Sequence, residues 1–210
     1  MIEDYCTFCT QEEDKIYMRT ANFTVWLAVG QIVEGYSLII PNDHYHCIGA
    51  LPEELQEEYL ELKSKLRDKL EEKYGGCIFY EHGRVGVCNV QPGEQLCYHG
   101  HTHAVPTNAD IIECFIEDKI IPVKLQGDKE LFEKYFEYGH YLYYENNKKD
   151  TYILPINQPI RRQYLRFLLA SKLGQPELAE WSKYPEWDKF YSAKQKLGEI
   201  KTNGTESITR

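Results

Sequence analysis

The residues able to do chemistry are concentrated in the first half of the chain. Six of the seven histidines among the 210 residues lie between His44 and His103. Three stand at alternate positions, His99-Gly-His101-Thr-His103, and Ala104-Val105-Pro106 follows them. Alternate side chains of a strand share a face, so the three imidazoles are expected to project together. A buried imidazole needs a hydrogen-bond partner or a metal. Three on one face suit proton transfer, metal binding or nucleophilic attack on phosphorus. A metal-only cluster and a water-exposed strand are the competing readings.

A second group is Cys6-Thr-Phe-Cys9. Redox pairs of this spacing sit at a helix start in a βαβ context. This pair precedes a strand, which suits half of a tetrahedral zinc site better. His44, His46 and His99 are the available imidazoles, and His44 follows Pro41-Asn-Asp just past a strand end. The bland alternative makes Cys6 and Cys9 small apolar fillers and His44 and His46 surface residues.

Several elements are needed to position these groups. Ile16–Arg19, Phe23–Ala28 and Gly35–Pro41 read as strands, the last closed by proline. Leu55, Tyr59, Leu62, Leu66 and Leu70 recur every three or four residues, one apolar stripe of a helix that starts at Pro52 and stops at Gly75-Gly76. Cys77–Glu81, Tyr98–Val105 and Ile111–Ile116 are expected strands, with a loop over 83–97. Asp128–Tyr138 reads as a short helix. Tyr141–Tyr144 and Thr151–Leu154 flank Asn146-Asn-Lys-Lys-Asp150 as a hairpin. Ile160, Tyr164, Phe167 and Leu168 are helical in spacing, with a stop at Gly174, and Trp181, Trp187 and Phe190 are expected anchors. The fold class is α+β, an antiparallel sheet with flanking helices and a C-terminal helical extension. The expected division is a catalytic domain over 1–155, the extension over 156–198 and a flexible tail over 199–210.

Composition narrows the function classes. A net charge of −9 argues against a basic face for a nucleic-acid partner, while local donors can still hold a small anion. No run of about 18 apolar residues predicts a membrane span. The N-terminus lacks a signal-peptide pattern. Seven cysteines, an odd number, do not suggest a disulfide framework. A cytoplasmic protein is expected.

The Cys-x-x-Cys pair, Gly35-Tyr-Ser-Leu-Ile-Ile-Pro-Asn-Asp-His44, Tyr80-Glu-His82-Gly83 and His99-Gly-His101-Thr-His103-Ala-Val-Pro106 together resemble the histidine-triad (HIT) superfamily of nucleotide hydrolases and nucleotidyl transferases. The resemblance covers about half of the chain, and the triple histidine is its specific part. It implies an antiparallel α+β fold in which His101 attacks the α-phosphorus of a nucleotide and His103 orients or assists. It further implies a structural zinc on Cys6, Cys9, His44 and His99. His82, Asn89, Gly93 and Gln95 fall where the family contacts phosphate. The nucleoside monophosphate moiety of a nucleotide would be the bound partner, and a homodimer through a sheet edge is open.

The chain departs from the family pattern in places. Gly100 and Thr102 replace bulky apolar residues between the histidines. Tyr36 follows Gly35 where many members carry histidine. Leu96 stands where serine or threonine is common. Arg161, Arg162 and Arg166 of the extension are candidates for a bidentate phosphate contact. Three function classes remain in view: an enzyme, either a hydrolase acting on a phosphoester, phosphoramidate or phosphoanhydride through a nucleotidyl-histidine or a nucleotidyl transferase or phosphorylase of the same fold; a low-turnover nucleotide-binding regulatory protein; and a zinc-stabilised interaction module.

Overall fold

A computed structural model of the protein describes residues 6–84 and 98–198. Asn89, Gly93 and Gln95, and the tail 199–210, lie outside the described residues. The strands are β1 (Ile16–Arg19), β2 (Phe23–Leu27), β3 (Ser37–Pro41), β4 (Ile78–Gly83), β5 (Thr102–Val105), β6 (Val123–Lys124), β7 (Tyr141–Glu145) and β8 (Thr151–Leu154). They form one sheet in the order β1-β2-β3-β5-β4-β7-β8-β6, and every neighbouring pair is antiparallel. The helices are α1 (Glu53–Tyr74), α2 (Ile112–Glu117), α3 (Glu130–Tyr138), α4 (Tyr164–Lys172) and α5 (Trp187–Leu197). The α+β architecture is therefore as the sequence pattern predicts.

The sheet is covered on both faces, so its central strands are buried throughout. On one face α1 lays its stripe, Tyr59, Leu62, Leu66 and Leu70, against Val25, Ile39, Phe79 and Tyr143. The other face carries Trp26, Leu38, Tyr80 and Tyr144 under Phe115 of α2 and Tyr164, Leu165 and Leu169 of α4. The extension is thus part of both cores, because Phe190, Ala193 and Leu197 of α5 return to the α1 side. Among the described residues, no helix is long and apolar enough to cross a membrane.

Under α1 the core holds charges. Lys63 Nζ lies 2.7 Å from Asp128 Oδ2 and 2.7 Å from Tyr143 Oη, and it pairs with Glu145. Arg67 pairs with the same carboxylate and donates to Cys77 O at 2.7 Å. Every charge in this group has an opposite charge beside it, the condition for burying ions at all.

Three expectations fail. The segment Ile111–Ile116 falls in α2 (Ile112–Glu117) and its preceding residue rather than in a strand. Asp110 Oδ1 accepts the Ile112 N–H at 3.0 Å and the Tyr144 hydroxyl at 2.9 Å, which starts the turn. Ile111 and Phe115, four apart, go inward while Ile116 is exposed. Tyr98–Val105 is paired only from Thr102 onward, because Gly100 N–H donates to Tyr45 O at 2.6 Å and takes the chain off the ladder. Of the three expected anchors only Phe190 is fully buried; Trp181 and Trp187 stay somewhat under half exposed, the Trp187 ring packed on Phe190 with centroids 5.6 Å apart.

Candidate active site and metal centre

The site starts from one row of side chains across the sheet. Register aligns Trp26 with Leu38, Leu38 with His103 and His103 with Tyr80. All four line a cleft of about 430 Å³, together with Phe8, His82, His99 and His101. Thr102, one residue from His103, points the other way and bonds Tyr59 Oη at 2.8 Å on the α1 side. Alternation along β5 is what puts threonine in the core and histidine in the cleft. The C-terminal extension forms the far wall with Arg162, Gln163, Leu165 and Trp181.

Gly100 is where the backbone must come close. A Cβ there would lie 2.6 Å from the Cα and carbonyl carbon of Cys47, tighter than atoms can pack. The small residue between the first two histidines is thus explained by a covering chain segment.

His101 and His103 are half-buried, and the bonds that fix each ring run through Nδ1. His101 Nδ1 is 2.9 Å from His99 O. A carbonyl only accepts, so Nδ1 carries the proton and Nε2 is the ring's lone-pair nitrogen. Burial lowers the pKa of His101, and burial first, with neighbouring positive groups, lowers that of His103. Both rings are accordingly neutral near pH 7. Their centroids are 4.7 Å apart at an interplanar angle of 64°. His103 Nδ1 lies 2.8 Å from Tyr36 Oη, and the His103 ring stacks on Tyr80 with centroids 4.7 Å apart. His82, on β4, faces the same cleft, and burial pushes it down to about 4.

Cys6, Cys9, His44 and His99 converge: their ligand atoms all lie within 4.8 Å of one another. Cys6 Sγ is 3.4 Å from His99 Nδ1, Cys9 Sγ is 3.4 Å from His44 Nδ1, and Cys9 Sγ is 3.5 Å from His99 Nδ1. A zinc tetrahedron with ordinary bond lengths has sulfur–nitrogen edges of roughly 3.6 Å, so the set fits zinc. His99 Nε2 donates to Pro41 O at 2.9 Å, leaving Nδ1 unprotonated toward the cysteines. That outer hydrogen bond is the usual way a histidine ligand is oriented. His46 stands beside His44, ring centroids 5.7 Å apart, and is exposed outside the set.

The Cys pair also shapes the cleft. Phe8, between the two cysteines, packs on His101 with ring centroids 4.7 Å apart and on Trp26 at 5.7 Å. Of the arginines expected at phosphate, Arg166 is not available. It is buried and donates to Gly30 O, Ala179 O and Leu178 O at 2.8, 3.2 and 3.0 Å. Arg161 lies over the Phe167 ring, and Arg162 stands exposed at the cleft wall. Sequence reasoning missed Phe8, Trp26 and Tyr80 as cleft residues; for Phe8 the signal was its place inside the Cys pair.

No protein-family model matches the chain, and no curated protein matches it. Solved structures do, several of them histidine-triad proteins. A HIT family protein from Bacillus anthracis is 21% identical, with a TM-score of 0.41, over 51% of this chain and 76% of that one. A zinc-bound histidine-triad family protein from Mycobacterium smegmatis is 20% identical, with a TM-score of 0.40, over 50% and 78%. A hypothetical histidine-triad nucleotide-binding protein from Sulfolobus tokodaii is 21% identical, with a TM-score of 0.37, over 61% and 85%.

Proposed function

We propose that this protein is a histidine-triad nucleotide hydrolase whose nucleophile is Nε2 of His101. The observation that carries the reading is the 2.9 Å bond from His101 Nδ1 to His99 O. It fixes the tautomer whose other nitrogen is nucleophilic, in a ring that burial keeps neutral at physiological pH. Nε2 bonds to the α-phosphorus of a nucleoside phosphate, and the bond from phosphorus to the leaving group breaks, its electron pair departing with that group. Water then attacks the nucleotidyl-histidine, the phosphorus–nitrogen bond breaks, and nucleoside monophosphate leaves. His103 and His82 stand beside the phosphorus as orienting and hydrogen-bonding groups. The aromatic wall of Phe8 and Trp26 suits a nucleobase.

Cys6, Cys9, His44 and His99 hold a structural zinc in this reading. When bound, the metal cross-links the N-terminal loop to the triad segment. A transferase or phosphorylase shares every group up to the intermediate and differs only in what replaces water.

The test is intact-protein mass spectrometry after mixing with a nucleoside phosphoramidate. A stoichiometric nucleotidyl adduct is expected on the wild type and none on His101→Ala, whose turnover falls at least about 10³-fold. An adduct that survives on His101→Ala overturns the assignment.

A further inference from the structure

Beneath His103 lies a group that the reaction above leaves without a task. Tyr36 Oη is hydrogen-bonded both to His103 Nδ1, at 2.8 Å, and to Tyr80 Oη. Both phenols are buried, and burial raises both, Tyr80 well above the usual range, so each keeps its proton. Tyr80 Oη has no other hydrogen-bond partner among the described residues.

A count of protons decides the direction of this chain. If His103 Nδ1–H donated to Tyr36, one phenol proton would be left over whichever way the two phenols bond: that of Tyr80 if Tyr36 donates to it, that of Tyr36 if Tyr80 donates. Either is a buried unsatisfied donor. In the reverse direction Tyr80 donates to Tyr36 and Tyr36 donates to His103 Nδ1. Both phenol protons then have an acceptor, and the chain ends on an imidazole nitrogen, a better acceptor than a phenol oxygen. His103 then carries its own proton on Nε2.

We propose that Tyr36, backed by Tyr80, is a positioning residue that holds His103 as the neutral Nε2–H tautomer and so presents a hydrogen-bond donor to the phosphoryl oxygens of a bound nucleoside phosphate. The second half of the statement rests on the nucleotide reading of the cleft; the tautomer does not. No proton leaves His103: it stabilises negative charge gathering on phosphoryl oxygen as His101 attacks. The C-terminal extension takes part. The Arg166 guanidinium lies 5.0 Å from the centre of the Tyr36 ring, and its bonds to Gly30 O, Leu178 O and Ala179 O fix it there. That cation beside His103 also disfavours a second proton on the imidazole. A histidine at position 36 would offer a ring nitrogen in place of the phenol; the tyrosine offers a donor whose direction Tyr80 sets.

Long-range ¹H–¹⁵N spectra of the full-length ¹⁵N-labelled protein, without nucleotide, read the tautomer directly. The His103 signals are assigned by their loss in His103→Gln. The expected wild-type pattern is Nε2 protonated and Nδ1 bare. Tyr36→Phe is expected to shift His103 toward the Nδ1–H form or a mixture. In the same variant kcat for a nucleoside phosphoramidate falls at least about tenfold, with KM within about twofold, and Tyr36→His recovers most of the loss. A wild-type His103 protonated on Nδ1 overturns the proposal. So does a Tyr36→Phe protein whose His103 spectrum is unchanged, whatever its kcat, because that loss would be one of packing. If Tyr36→Phe does not fold, the wild-type spectrum alone decides. Failure of the nucleotidyl-adduct test leaves this spectrum untouched, so the two readings fail separately.

Discussion

His99 and His101 are joined backbone to ring: the carbonyl oxygen of His99 accepts the Nδ1 proton of His101 at 2.9 Å. The His99 side chain meanwhile turns to Cys6 and Cys9, its Nδ1 3.4 and 3.5 Å from their sulfurs. One residue therefore anchors the cysteine cluster with its ring and sets the nucleophile's tautomer with its backbone. Displacing His99 is expected to disturb both.

Metal content is the direct check. Wild-type protein should carry one equivalent of zinc by elemental analysis. Cys9→Ser and His99→Ala should each release it and lower Tm by on the order of 10 °C, because metal binding energy is folding energy. His101→Ala should keep both metal and Tm. Zinc retained in both ligand variants, or absent from wild type, sinks the metal assignment.

At Gly100 a single methyl group is expected to be costly. It would fall 2.6 Å from Cys47 Cα and 2.9 Å from Ile48 N, backbone atoms that cannot swing aside. Gly100→Ala should lose about 1–3 kcal/mol in urea unfolding and, by moving His99 and His101, lose activity out of proportion. Wild-type stability and kcat in this variant would show that the segment yields freely.

The charges under α1 predict a large effect far from the cleft. Glu145 receives both Lys63 and Arg67 and is itself buried. Glu145→Ala leaves two buried cations short of a partner and should cost about 3–5 kcal/mol, measured by chemical denaturation with zinc bound. A loss under about 1 kcal/mol would mean that Asp128 and Glu71 suffice.

Glu81 predicts a pH dependence of stability. Its carboxylate accepts the Ile48 N–H at 2.7 Å and the Tyr141 hydroxyl at 2.6 Å, and burial, outweighing both bonds, pushes its pKa up to about 7 from 4.5. The folded state binds the proton more tightly than the unfolded chain. The associated stability is thus fully present below about pH 4.5 and is lost as pH rises through about 7. Relative to Glu81→Gln, wild type should lose about 3 kcal/mol across that window. A constant difference between the two proteins from pH 4 to 8 would contradict it.

Local pattern reached a long way into this protein. The spacing Cys6, Cys9 and the run His99, His101, His103 named the residues that the structure brings into one cluster and one cleft. The stripe from Tyr59 to Leu70 named a helix face that is buried. These features have the period of the element that carries them, so neighbours along the chain suffice to show them.

Contacts between distant residues were decided elsewhere. Arg166 is charged and helical in sequence, but packing of α4 under Gly30 turns it inward onto three carbonyls. Ile111–Ile116 is apolar enough for a strand, and only Asp110, held by Tyr144, starts it as a helix. The partner of His103 lies 67 residues away at Tyr36, brought there by the pairing of β3 with β5. Residue type sets which bonds a ring can make; the register of the sheet and the packing above it set which one it does make.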